Sequence, residues 1–173
     1  PPPPPPPLFF LKAYHGNRDP LWSRGLGDVY KRQEERKSTD FLIIHCAATK
    51  PSMDVGLTEI RKWHLDLGWR DVGYHYIIRR NGEVELGRSI RDTGSHARGY
   101  NHKSVGLCMV GGMAEDNSAE NNFTAQQWTA LLDLIKQLKT NYPDAEIIGH
   151  NEISEKECPS FDVPKWLEEN GLV

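Results

Sequence analysis

Phe41-Leu-Ile-Ile-His-Cys46 is a short, continuous apolar run interrupted by a single histidine, a pattern that suits a buried strand. Downstream, Leu57, Ile60, Trp63, His64 and Leu67 recur at helical spacing, and Gly68 follows as a C-terminal cap. Two runs, Tyr74 to Arg80 and Glu83 to Arg88, flank Asn81-Gly82. That dipeptide tolerates the positive φ angles of a type I′ turn and predicts a β-hairpin. Ser104 to Val110 reads as another apolar strand, closed by Gly111-Gly112. Thr124-Ala-Gln-Gln127 fits a capping box, and Trp128, Leu131, Leu132, Ile135 and Leu138 mark the buried stripe of the helix it opens. Pro143 stops that helix, Glu146 to Gly149 reads as a short strand leading into His150, and a last helix starts at Asp162 and Pro164 and ends at Gly171. Strands and helices are interspersed. The expected fold is therefore mixed α+β (α/β class), a central mixed sheet flanked by helices.

The 173 residues suffice for one domain with a real core. The first 37 show neither helical nor strand periodicity: seven prolines open the chain, and Ser23 to Gln33 resembles translated adapter sequence. We read 1–37 as a non-native or disordered leader and 38–173 as the functional domain. The leader holds seven Lys/Arg and four Asp/Glu, so the overall charge of −3 leaves −6 on residues 38–173. An acidic domain is a poor partner for phosphate backbones, which argues against nucleic acid. No stretch reaches the ~20 apolar residues of a membrane span, and Leu8 to Leu11 is shorter than the about 7–15 residues of a signal-peptide core. The expected compartment is the cytoplasm of the producing cell.

Cys46 and Cys108 sit inside apolar runs and read as core residues. Among the seven histidines, His15 lies in the leader, His64 falls in a helical stripe, His75 alternates with Tyr74 on the hairpin, and His102 sits in a polar loop. His45, His150 and Cys158 differ: each lies at or just past the end of a strand, where loops build sites on a rigid sheet. Two imidazoles and one thiolate make a sensible zinc shell with a fourth position open to water. From spacing alone the signal is weak.

Ile44-His-Cys-Ala-Ala-Thr-Lys-Pro-Ser52, Asp71-Val-Gly-Tyr-His75, Gly94-Ser-His-Ala97, Gly99-Tyr-Asn-His102, Val110-Gly-Gly112 and Cys158-Pro-Ser-Phe-Asp162 decide between these readings. In order and gaps, residues 38–173 resemble the phage T-seven lysozyme branch of the zinc N-acetylmuramoyl-L-alanine amidases, which share a fold with peptidoglycan recognition proteins.

The resemblance implies that His45, His150 and Cys158 bind Zn2+ and that Tyr74 and Lys156 are catalytic. It further implies hydrolysis of the amide between N-acetylmuramoyl and L-alanine in peptidoglycan, by a monomer that reaches the wall after membrane breach. A zinc-activated water would attack the carbonyl, with Lys156 sharing the oxyanion. The role of Tyr74 (orienting water, binding the carbonyl or relaying a proton) stays open. His96 is placed at the cleft as a substrate contact, with a structural hydrogen bond as the competing role; Asn101 and Gly111-Gly112 read as loop architecture. Three other functions compete: a non-catalytic muropeptide-binding module, a thiol hydrolase pairing Cys158 with His150, and an amidase that also binds and inhibits a phage RNA polymerase.

Overall fold

The computed structural model describes residues 34–173. Five strands form one mixed sheet: β1 (Phe41–Cys46), β2 (Tyr76–Ile78), β3 (Val84–Leu86), β4 (Ser104–Met109) and β5 (Glu146–Gly149), in the order β3-β2-β4-β1-β5. β1 is parallel to both neighbours, with Phe41 opposite Ser104 and Glu146, and β2 is parallel to β4. Only the β2–β3 hairpin is antiparallel. Three helices complete the domain: α1 (Leu57–Asp66), α2 (Ala125–Asn141) and α3 (Val163–Glu169).

The interior position of β1, between β4 and β5, explains its unbroken apolar run. Alternate side chains point to opposite faces, and Leu42, Ile43 and Ile44 are all fully buried. On one face Ile43 packs with Ala97 and Ile148, while Ile77 and Cys108 join Val55, Ile60 and Val72 near α1. α2 lies against β2, and α3 against β5. α2 buries Leu131, Leu134, Ile135 and Leu138. The expected stripe is thus shifted by Leu134 standing in place of Leu132.

The capping box is as expected: Gln127 N–H donates to Thr124 Oγ1 at 3.1 Å, and Thr124 N–H to Gln127 Oε1 at 3.0 Å. Gln127 does more than cap. Its buried amide donates to the carbonyls of Ile78 (3.1 Å) and Val110 (2.7 Å), fastening α2 to the ends of β2 and β4.

Two local expectations are corrected. The hairpin forms, but its turn is not type I′, because Gly82 alone has positive φ (86°) and Asn81 does not. Gly82 N–H bonds the Arg79 carbonyl (2.8 Å) and Arg79 N–H bonds that of Glu83 (2.8 Å), giving a three-residue loop with a left-handed final glycine. In α1 only Ile60 is buried, while Trp63 and Leu67 are exposed. Leu57 packs half-buried beside Ile60 on the cluster of Ile77 and Cys108, and Trp63 and Leu67 of the expected stripe face outward.

The leader assigned to residues 1–37 falls outside the described residues as far as 33. Residues 34–36 pair with the 90–93 segment: Thr93 N–H donates to the Glu34 carbonyl (2.7 Å) and Arg36 N–H to that of Arg91 (2.6 Å). The Arg36 guanidinium bonds the Ser38 and Ile90 carbonyls and Thr39 Oγ1. No helix among the described residues is long and apolar enough to cross a membrane.

Candidate metal centre

His45 is the fifth residue of β1, His150 follows the last residue of β5, and Cys158 sits in the loop before α3. Because β1 and β5 are adjacent and parallel, their ends lie side by side, and the loop returning to α3 brings the sulfur over them. One donor atom from each of the three residues lies within 4.8 Å of the others. Cys158 Sγ is 3.7 Å from His45 Nδ1. Bonds of about 2.0–2.1 Å to nitrogen and 2.3 Å to sulfur at a tetrahedral angle set these atoms roughly 3.6 Å apart, so the edge matches a zinc shell. The donor set therefore fits the metal that its chemistry suggests.

The electrostatics prepare these residues for a cation. His45 is 1% exposed, and burial, followed by the neighbouring His150 and Lys156, holds its pKa well below the usual histidine value. His150 is lowered as well, by burial and then by Lys156. Both rings are thus neutral, as ligation requires. A hydrogen bond shared with the Cys46 thiol, and then burial, push the Cys158 thiol up. It keeps its proton until a cation displaces it.

Two glycines make room for this arrangement. A Cβ on Gly112 (φ 89°) would lie 2.7 Å from Cys46 Sγ, and the Gly112 carbonyl accepts from Ser160 Oγ at 2.7 Å, tying the Cys158 loop to the end of β4. A Cβ on Gly106 would lie 2.6 Å from Cγ of His96. The imidazole of His96 occupies the space that any larger residue would fill.

Tyr74 and Lys156 flank the cluster. The Tyr74 ring lies 5.2 Å from that of His45, and its body packs on the apolar cluster containing Val72, Ile77 and Cys108. Burial, then the thiols of Cys108, Cys158 and Cys46, raise its pKa well above the usual phenol value. Tyr74 is consequently a hydrogen-bond donor at neutral pH. Lys156 is exposed and unpaired with any carboxylate among the described ion pairs, two residues before the cysteine.

His96 is brought to the cluster but faces protein, being 9% exposed and engaged at both ring nitrogens. Asn101 is architectural: its Oδ1 accepts from the backbone N–H groups of His96 (2.8 Å) and Ala97 (2.9 Å). His75 points elsewhere, its Nε2 bonding the Asp92 carbonyl (2.8 Å) and its Nδ1 accepting from Gly106 N–H (3.0 Å). His64 Nδ1 accepts from Gly73 N–H at 2.9 Å, and His102 is exposed. The sequence reading missed Ser104, Gly106 and the Cys46 amide, which carry no recognisable pattern by themselves.

The sequence signature of the N-acetylmuramoyl-L-alanine amidases matches residues 35–161. The chain is 49% identical over 140 residues to the endolysin of Escherichia phage T7, covering 81% of this chain and 93% of that protein. It is 50% identical over 139 residues to the endolysin of Klebsiella phage KP32, covering 80% and 92%. Among solved structures, the endolysin N-acetylmuramoyl-L-alanine amidase LysCS from Clostridium intestinale superposes with a TM-score of 0.70 at 25% identity, over 81% of this chain and 88% of that one. Since the matched segment runs from before β1 to beyond Cys158 and so contains all three clustered donors, the chain belongs to the N-acetylmuramoyl-L-alanine amidase family.

Proposed function

We propose that this chain is an endolysin-type amidase that hydrolyses the bond between N-acetylmuramoyl and L-alanine in peptidoglycan, with zinc held by His45, His150 and Cys158. The observation that carries the reading is the convergence of two neutral imidazoles and one thiol beside an uncharged phenol and an unpaired ammonium. When bound, zinc supplies Lewis acidity and lowers the pKa of water to ~7.

The protein residues then have separable tasks. Lys156, with no carboxylate neutralising it among the described ion pairs, stabilises the negative charge that develops on the amide oxygen. Tyr74 keeps its proton and donates a hydrogen bond that orients the scissile carbonyl or the attacking water. Cys158 acts as a ligand and not as a nucleophile: its sulfur is one corner of the three-donor cluster, and the hydrogen bond shared with Cys46, then burial, raise its thiol pKa. The acidic domain acts on the wall as a monomer once the membrane is breached.

The test is digestion of purified Gram-negative peptidoglycan, counting new α-amino groups with and without chelator and with zinc restored. Amines that appear, vanish on chelation and return with zinc are expected. Reducing sugar ends in their place would identify a glycosidase, and binding without products would identify a recognition module.

A further inference from the structure

We infer that His96 is a positioning residue for the metal centre: through a hydrogen-bond chain of fixed polarity from the Tyr100 carbonyl, it holds His45 in the tautomer whose Nδ1 lone pair faces Cys158 and His150. The inference rests on the metal-centre reading above and adds to it a residue that touches neither metal nor substrate.

The polarity follows from the far end of the chain. Ser104 Oγ lies 2.8 Å from the Tyr100 carbonyl, which can only accept, and 3.3 Å from His96 Nε2. The single hydroxyl proton goes to the carbonyl, so Ser104 accepts from His96 and His96 Nε2 carries a proton. A neutral imidazole has one donor and one acceptor, which makes His96 Nδ1 an acceptor. That nitrogen is 2.9 Å from His45 Nε2. His45 Nε2 therefore carries the proton, and His45 Nδ1, 3.7 Å from Cys158 Sγ, has its lone pair free for a cation. Metal-ligating histidines commonly hold their distal N–H in this way against an acceptor, which fixes the ring and raises its basicity. Here the acceptor is a second imidazole.

The ring of His96 is clamped so that it can serve. Added Cβ atoms on Gly94 and Gly106 would each come within 2.6 Å of it, and Asn101 fixes its backbone by accepting from the amides of residues 96 and 97. β4 supplies both Ser104 and Gly106 at alternate positions, on the same face that β1 gives to His45. The two links of His96 are buried, with Ser104 at 0% and His45 at 1% exposure, so water does not compete for them.

Two measurements test the role. In metal-free protein, nitrogen NMR of the imidazoles reads the tautomers directly: His45 is expected as the Nε2–H form, turning to a mixture in His96→Leu. Zinc affinity, by competition with a fluorescent chelator, is expected to fall about 10–100-fold in His96→Leu and to recover to within about threefold in His96→Asn, whose amide oxygen takes the place of Nδ1. Should His96→Leu not fold, Ser104→Ala breaks the chain one link away and is expected to weaken zinc binding by a few-fold. A Nδ1–H tautomer at His45 in the wild type, or unchanged affinity in folded His96→Leu or Ser104→Ala, would overturn the inference while leaving the metal centre intact. A wild-type protein that shows the expected tautomer but takes up no zinc would overturn both.

Discussion

The backbone N–H of Cys46 donates to Cys158 Sγ at 3.3 Å, joining the last residue of β1 to the loop before α3. An amide donor strengthens the anionic form of the sulfur, so the sheet itself helps to prepare the ligand. The bond also fixes the sulfur relative to His45, the residue just before that amide. Cys158→Ser keeps a small side chain but loses the soft thiolate. We expect a folded protein with its zinc lost on dialysis and activity reduced by more than the ~10–100-fold typical of a supporting residue. Metal content by atomic absorption checks this; retention of one zinc per chain would remove Cys158 from the ligand set.

Lys156→Ala separates binding of metal from stabilisation of charge. The residue is exposed, so the melting temperature and zinc content should match the wild type. Turnover should fall by about 10²–10³, the usual effect of losing one oxyanion donor. An unchanged kcat on soluble muropeptides would assign the charge stabilisation elsewhere.

Tyr74→Phe retains the ring that packs on Val72, Ile77 and Cys108 while removing the hydroxyl. Stability should change by less than about 1 kcal/mol, and activity should fall about 10²-fold or more. Because its pKa is raised, the phenol contributes no alkaline limb to the pH–rate profile below pH ~10. The slow variant should therefore have a profile of the same shape. A limb that disappears with the hydroxyl would show that Tyr74 ionises in the working range.

Acid stability should depend on His75. Burial pushes its pKa down from 6.5 to about 3 in the folded protein. The unfolded chain binds this proton near pH 6.5, so the stabilisation is complete above that pH and declines as pH falls toward 3. The expected slope is about 1.4 kcal/mol per pH unit for one proton. His75→Asn keeps an acceptor for Gly106 N–H but does not titrate. Urea unfolding between pH 4 and 6 should show a slope shallower by about that amount, and identical slopes would mean that His75 is protonated in the native state.

What the sequence made legible follows the range of the interactions involved. The limits of β1, the hairpin and the Thr124–Gln127 box depend on neighbouring residues and appear in the structure as expected. The turn type and the stripe of α1 do not, because Gly82 alone takes the positive φ and nothing packs over Trp63 and Leu67, which stand exposed. The donors His45, His150 and Cys158 stood out by their strand-end positions, although only family resemblance distinguished them from other histidines. The contacts of His96 were hidden for a different reason. Its partners lie 8 residues away at Ser104 and 51 away at His45, and only the registry of β1 with β4 brings them together.

The strand order also bears on how the enzyme is made. β1 leaves the ribosome before both of its partners in the sheet, β4 and β5, and β5 emerges only after α2. The nascent chain must carry an apolar interior strand unpaired until β4 and β5 have been made, the kind of non-local topology that folds slowly and exposes aggregation-prone edges. The same order also delays the donor cluster. Two of the three clustered donors, His150 and Cys158, follow β5, so a ribosome that stalls before that strand is complete releases a fragment without the full donor set.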